Sequence, residues 1–108
     1  MQKLQLDNKK IEQLIKEVIK ILKKHVKQPI KVYLFGSLAR KNSTPYSDID
    51  LAFESKEQLN QKTIVKIKDE IDNLRTLRKI ELIYLNESSS SLRRVVKKEG
   101  VLIYEFKG

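Results

Sequence analysis

Ile11, Leu14, Ile15, Val18, Leu22 and Val26 return at steps of three and four residues, with Lys9, Lys16, Lys20, Lys23, Lys24 and Lys27 between them. That period gathers the apolar side chains on one stripe of a helix and leaves the lysines to water. Asp7 or Asn8 can cap its start. The helix should end before Pro29, because the residue ahead of a proline is driven out of helical geometry, and His25 then faces solvent near the negative end of the helix dipole. The pattern next changes its period. Ile30-Lys31-Val32-Tyr33-Leu34-Phe35 is β-rich and stops at Gly36, as a buried strand would.

Ser37-Leu38-Ala39-Arg40 can make one helical turn, and the turn formers from Lys41 to Tyr46 predict an exposed loop that delivers the chain to Asp48. Ser47 through Glu54 reads as a second strand. Ile64, Ile67, Ile71 and Leu74 mark a helix from about Glu57 to Leu74, and Lys79 through Leu85 forms a third strand with Glu81 on the face of Ile83 and Leu85. Ser88 to Ser91 offer caps for a short helix carrying Leu92, Val95 and Val96, closed by Gly100. Val101 to Phe106 is the last strand. The order α-β-turn-β-α-β-α-β, without an internal repeat or a dividing linker, predicts an α/β (α+β) sandwich in one domain spanning residues 1–108.

Two patterns in this frame carry chemistry. Side chains two apart on a strand share a face, so Asp48 and Asp50 should stand together while Ile49, Leu51 and Phe53 face the other way. Carboxylates that close repel unless a cation lies between them. Gly36 lets backbone approach a phosphate, and Ser37 adds an N–H and a hydroxyl at the start of a short helix. Glu81 on a mainly apolar face must lie near an edge, be paired, or be functional. Each feature alone has a plain alternative: a turn, a solvated strand face, an edge charge. Arg40, one turn beyond Ser37, suits a triphosphate or an acceptor as well as it suits open solvent; Ser47 reads as a cap in preference to a ligand to a metal-bound water, and Tyr33, Tyr46, Tyr84 and Tyr104 read as packing residues, although Tyr46 in the loop can approach a base.

Composition narrows the chemistry. With no cysteine and a single histidine, zinc sites, thiol nucleophiles and Ser-His-Asp triads are excluded, leaving carboxylates with oxygen-seeking metals. No apolar run approaches the roughly 20 residues of a membrane span, and the N-terminus lacks a secretory core, so a cytoplasmic location is expected and no membrane partner. The net charge of +9 suits polyanions, yet the lysines are spread over helix faces as solvated charge.

Gly36-Ser37-Leu38-Ala39-Arg40 followed by Ser47-Asp48-Ile49-Asp50-Leu51 resembles the signature of the minimal nucleotidyltransferases, small members of the DNA polymerase β-like superfamily. The leading helix, the third-strand carboxylate and the closing Lys98-Glu99-Gly100-Val101-Leu102-Ile103-Tyr104 extend the likeness over nearly the whole chain. The resemblance implies a mixed sheet of about four strands with helices on one face and the site on the other. It implies Mg2+, as two ions held by Asp48 and Asp50, ATP as substrate, and Gly36 and Ser37 at its phosphates. Glu81 falls where the family usually has a third aspartate that serves as base and metal ligand. The resemblance further implies a HEPN-domain toxin as partner, neutralised by AMP added to a tyrosine.

Two other readings stand beside this one. A non-catalytic antitoxin would act by occlusion, which Glu81 in place of aspartate motivates. A basic nucleic-acid-binding domain rests on charge alone and lacks paired strand aromatics and a Gly-x-x-Gly loop. Leftover apolar positions such as Leu4, Leu6 and Val65 are compatible with a homodimer or a hetero-oligomer.

Overall fold

The computed structural model describes residues 9–36 and 48–108. Asp7, Asn8, Leu4 and Leu6 lie outside these residues, as do Ser37, Arg40, Tyr46, Ser47 and the turn and loop expected between Ser37 and Tyr46. The described elements are α1 (Lys9–His25), β1 (Ile30–Phe35), β2 (Ile49–Ser55), α2 (Gln61–Asp72), β3 (Ile80–Tyr84), a 3-10 turn (Leu85–Glu87), α3 (Ser90–Glu99) and β4 (Val101–Phe106). They form one sheet in the order β3-β2-β1-β4. β1 runs antiparallel to both β2 and β4, and β2 runs parallel to β3, so the sheet is mixed as expected.

The boundaries follow local chemistry. α2 starts at Gln61, later than the expected Glu57, because the Asn60 side chain accepts from Lys62 N at 2.7 Å and so fixes the first turn. Ser89 caps α3 in the same way, accepting from Leu92 N at 3.1 Å. β3 stops at Tyr84 because Leu85 turns inward to a fully buried position.

Alternation divides the sheet into two faces. Val32 and Leu34 of β1, with Ile49, Leu51 and Phe53 of β2, meet the stripes of α1 (Ile15, Val18, Leu22) and α2 (Ile64, Ile67, Ile71) in the main core. Burial of this kind, at roughly 25 cal/mol per Å² of apolar surface, is the dominant stabilising term. The two long helices thus share one face. On the other, Tyr33 and Ala52 pack with Leu85 and with Val96 of the short α3, and Phe35, Ile83, Leu92 and Leu102 border them.

A buried polar knot ties the far end of β2 to β3. The Ser55 hydroxyl lies 2.7 Å from both Tyr84 Oη and the Glu57 carbonyl, and Tyr84 Oη accepts from Leu59 N at 2.8 Å. The Asn86 amide extends the ladder: its Oδ1 accepts from Ser55 N at 3.0 Å and its Nδ2 donates to Ser55 O at 2.8 Å. Tyr33 and Tyr84 are packing residues as expected, and half-buried Tyr104 lies beneath the Lys23 ammonium, 5.9 Å from its ring centre.

His25 departs from expectation. It does not face solvent; its ring is mostly covered and bonds to Glu70 of α2, which also accepts from Lys24 Nζ at 3.0 Å. The two helices pack side by side, so the end of α1 meets a carboxylate that its own sequence cannot reveal. The His25 bond first, and the Lys24 bond next, hold the Glu70 carboxyl below its ordinary range. A carboxylate with a depressed folded pKa contributes stability that is fully present above the unfolded value of about 4.3 and is lost as pH falls through the lower folded value. Glu70→Gln is therefore expected to lower the melting temperature at neutral pH and to flatten its decline on acidification, read by thermal denaturation from pH 7 to pH 3.

Candidate active site

β1 ends where β2 and β3 begin, so one end of the sheet collects Gly36, Asp48, Asp50 and Glu81. The register is explicit: Asp50 is the cross-strand partner of Phe35 on one side and of Glu81 on the other. Paired residues on neighbouring strands stand about 4.8 Å apart and project to the same face, so Glu81, Asp50 and Phe35 form a row across three strands. This is the face opposite the main core, next to the small apolar cluster under α3. Asp48 lies just ahead of β2 and is exposed, Asp50 is half-buried, and Glu81 is exposed on the outer strand β3. The sequence places Asp48 two residues before Asp50; the parallel ladder adds Glu81 to the row.

Gly36 is needed on two grounds. Its φ is +76°, a left-handed conformation that residues with a Cβ rarely adopt. A Cβ there would also fall onto the Asp50 carboxylate, whose Oδ2 occupies that space. The glycine thus lets the backbone just past β1 and the carboxylate approach each other directly. Gly36→Ala is expected to destabilise the fold by about 1–2 kcal/mol from backbone conformation alone, measured by urea unfolding. Nucleotidyl transfer should fall further than that loss of stability explains, because the same substitution displaces Asp50.

The donor set is all carboxylate oxygen, which fits a hard divalent cation such as magnesium in chemistry and charge. Among the described residues no three His, Cys, Asp or Glu side chains close on one point that could hold a metal. The Asp50 carboxylate is directed toward Gly36 on the β1 side, while Glu81 stands on the β3 side. The described site therefore presents a carboxylate row rather than a finished cage.

α3 closes the other border. A Cβ on Gly100, at its carboxyl end, would fall onto the Val96 carbonyl oxygen and within 3.1 Å of the Leu34 carbonyl oxygen, too close for a side chain. Lys97 pairs with Glu54 at 3.0 Å further along β2 on the same face. Sequence reasoning missed Lys79, which stands beside Asp48 because Ile49 N donates to Lys79 O at 2.9 Å. The parallel pairing of β2 with β3 was the missing information, since residues 48 and 79 are unrelated in sequence.

The family profile "Polymerase beta, Nucleotidyltransferase" matches residues 16–107. No curated protein matches the chain. Among solved structures, a toxin-antitoxin complex with AMP-PNP contains a similar chain, at 24% identity and a TM-score of 0.62, covering 82% of this chain and 71% of that one. A complex of tri-AMPylated HEPN toxin with MNT antitoxin from Shewanella oneidensis aligns at 20% identity and a TM-score of 0.65, over 86% and 71% of the two chains. A Sulfolobus solfataricus protein described as a nucleotidyltransferase aligns at 21% identity and a TM-score of 0.60, over 89% and 81%. At these identities the structures show a shared fold, and the profile, which spans most of the sequence and includes Gly36, Asp48, Asp50 and Glu81, shows descent: the chain belongs to the polymerase β nucleotidyltransferase family.

Proposed function

We propose that this chain, as one minimal domain over residues 1–108, is a magnesium-dependent nucleotidyltransferase that moves AMP from ATP to a tyrosine hydroxyl of a HEPN-domain toxin and so acts as its antitoxin. The observation that carries the reading is the row Glu81-Asp50-Phe35 with Gly36 folded against Asp50. The similar solved chains include an antitoxin beside an AMPylated HEPN toxin and one in a complex with an ATP analogue, which supports the donor and the acceptor chosen here. Among the described residues no helix is long and apolar enough to cross a membrane, in keeping with a cytoplasmic place of action.

In this reading Gly36 and Ser37 offer backbone N–H groups to the β- and γ-phosphates, and Arg40 adds positive charge beside them. Asp48 and Asp50 would hold magnesium, with Glu81 as a further oxygen ligand. When bound, the cation neutralises charge on the reacting phosphate and on the leaving oxygen. Glu81 accepts the tyrosine proton as the phenolic oxygen bonds to the α-phosphorus. The α–β bridging bond breaks, its electron pair leaves with pyrophosphate, and the tyrosine keeps AMP. The acceptor hydroxyl comes from the bound partner.

Intact mass of a HEPN-domain partner after incubation with ATP and magnesium tests the reading. Wild type should add whole AMP units, and Asp48→Ala should add none. A second reading, inhibition by occlusion, is favoured by the longer Glu81 side chain and by the lack of three converging metal-ligating side chains among the described residues. A stable complex with no mass gain would replace transfer by occlusion.

A further inference from the structure

Residues 73–79 carry the chain from α2 into the first residue of β3, so this turn ends beside the carboxylates. Lys79 O accepts from Ile49 N at 2.9 Å, which places the turn on the β3 side of Asp48, across β2 from Gly36. The turn is held by its own bonds. Thr76 N donates to Leu74 O at 3.0 Å, and Thr76 Oγ1 accepts from Arg78 N at 3.0 Å. Leu74 packs against the main core and anchors the base. Leu77 is consequently presented at full exposure, flanked by half-buried Arg78 and by Arg75 and Lys79, both exposed. A wholly exposed leucine rimmed by two cations has the apolar centre and polar rim of a protein contact.

The chemistry of the site says which molecule the turn meets. In-line displacement brings the acceptor to the α-phosphorus from the side opposite the leaving pyrophosphate. In the transfer reading, Gly36, on the β1 side of Asp50, lies at the pyrophosphate, and Glu81, on the β3 side, lies at the acceptor. β3 is the edge strand, so exposed Glu81 and the turn that leads into it lie together at the open side of the sheet. We propose that residues 75–79 are the docking element for the acceptor protein: Leu77 enters an apolar socket, and Arg75 and Lys79 meet carboxylates flanking the modified tyrosine. Cations alone would suit a nucleic acid equally. The central leucine favours a protein, because a phosphate backbone offers no apolar socket.

This inference rests on the transfer reading above, and its test separates the two. Leu77→Ser and the double variant Arg75→Glu, Lys79→Glu are compared with wild type in steady-state AMP transfer to the HEPN-domain partner. Each should raise the acceptor KM about tenfold or more, with the KM for ATP unchanged in Leu77→Ser. The double variant should also lose the salt dependence of the acceptor KM. Melting temperatures are recorded to confirm folding, which substitution of so exposed a leucine should spare. An acceptor KM within twofold of wild type, or an equal rise in the KM for ATP in Leu77→Ser, would overturn the docking role. Calorimetric binding of the same partner needs no catalysis. If wild type binds but transfers nothing, weaker binding by both variants supports the docking turn while the transfer reading fails, and equal binding rejects the turn. A 3′-hydroxyl oligonucleotide that displaces the partner and depends on Arg75 and Lys79 but not on Leu77 would reassign the turn to nucleic acid.

Discussion

Asp50→Asn should lower AMP transfer about a thousandfold while leaving the fold intact, since stabilising the charge of a phosphoryl transition state is worth several kcal/mol and each 1.36 kcal/mol is tenfold in rate. The substitution isolates charge from shape. Asparagine keeps the size of the side chain that fills the space above Gly36, so the turn at the end of β1 has the same neighbour. It removes the negative charge placed between Phe35 and Glu81, and with it one of the carboxylates proposed to hold the divalent cation. The expected pattern is a collapse in kcat with a small change in acceptor KM, because the acceptor touches the β3 side instead. Magnesium titration should show weakened binding by calorimetry, independent of turnover. An Asp50→Asn protein that melts as wild type yet transfers AMP at a tenth of its rate or better would remove Asp50 from the metal pair and leave the carboxylate row without a catalytic role.

The sequence made much of this architecture legible because its periods were unambiguous. The bounds of β1 and β4 follow from β-rich runs cut by Gly36 and Gly100, and α1 follows from its apolar stripe. Alternation alone predicts a shared face for Asp48 and Asp50; of the two, Asp50 falls within β2 and Asp48 one residue ahead of it. Glu81 was a different kind of inference: its own strand shows only that a carboxylate shares a face with Ile83, whereas its partnership with Asp50 depends on β2 and β3 being parallel neighbours in register. Lys79 and Leu77 were invisible for the same reason, since nothing local marks a turn as adjoining residue 48. His25 was misplaced because a helix read alone has no knowledge of Glu70, which lies 45 residues further along. Local rules specify elements and faces, and the site arises where faces of elements distant in sequence meet.

Phe53→Ala should be the most destabilising single truncation in β2, costing about 3–5 kcal/mol. Phe53 is 1% exposed, and its ring stacks on Tyr84 with centroids 4.8 Å apart and planes at 24°, a pairing that bridges β2 and β3 on the core face. Truncation removes this contact and opens a cavity between strands whose register, Phe53 with Tyr84, is the same one that sets Asp50 beside Glu81. Tyr84 is also held through its hydroxyl by Ser55 and Leu59, so it cannot easily swing into the void. A domain of this size has about 5–15 kcal/mol in total, and each kcal/mol moves its melting temperature by roughly 4–8 °C. The melting temperature should therefore drop by more than about 12 °C, read by calorimetry in magnesium-free buffer. Phe53→Leu, which refills most of the volume, should recover more than half of the loss. Because the core face and the carboxylate face share one ladder, partial transfer activity in Phe53→Leu and none in Phe53→Ala at a temperature where both are folded would show that the register of β2 on β3, and not stability alone, sets the geometry at Asp50 and Glu81.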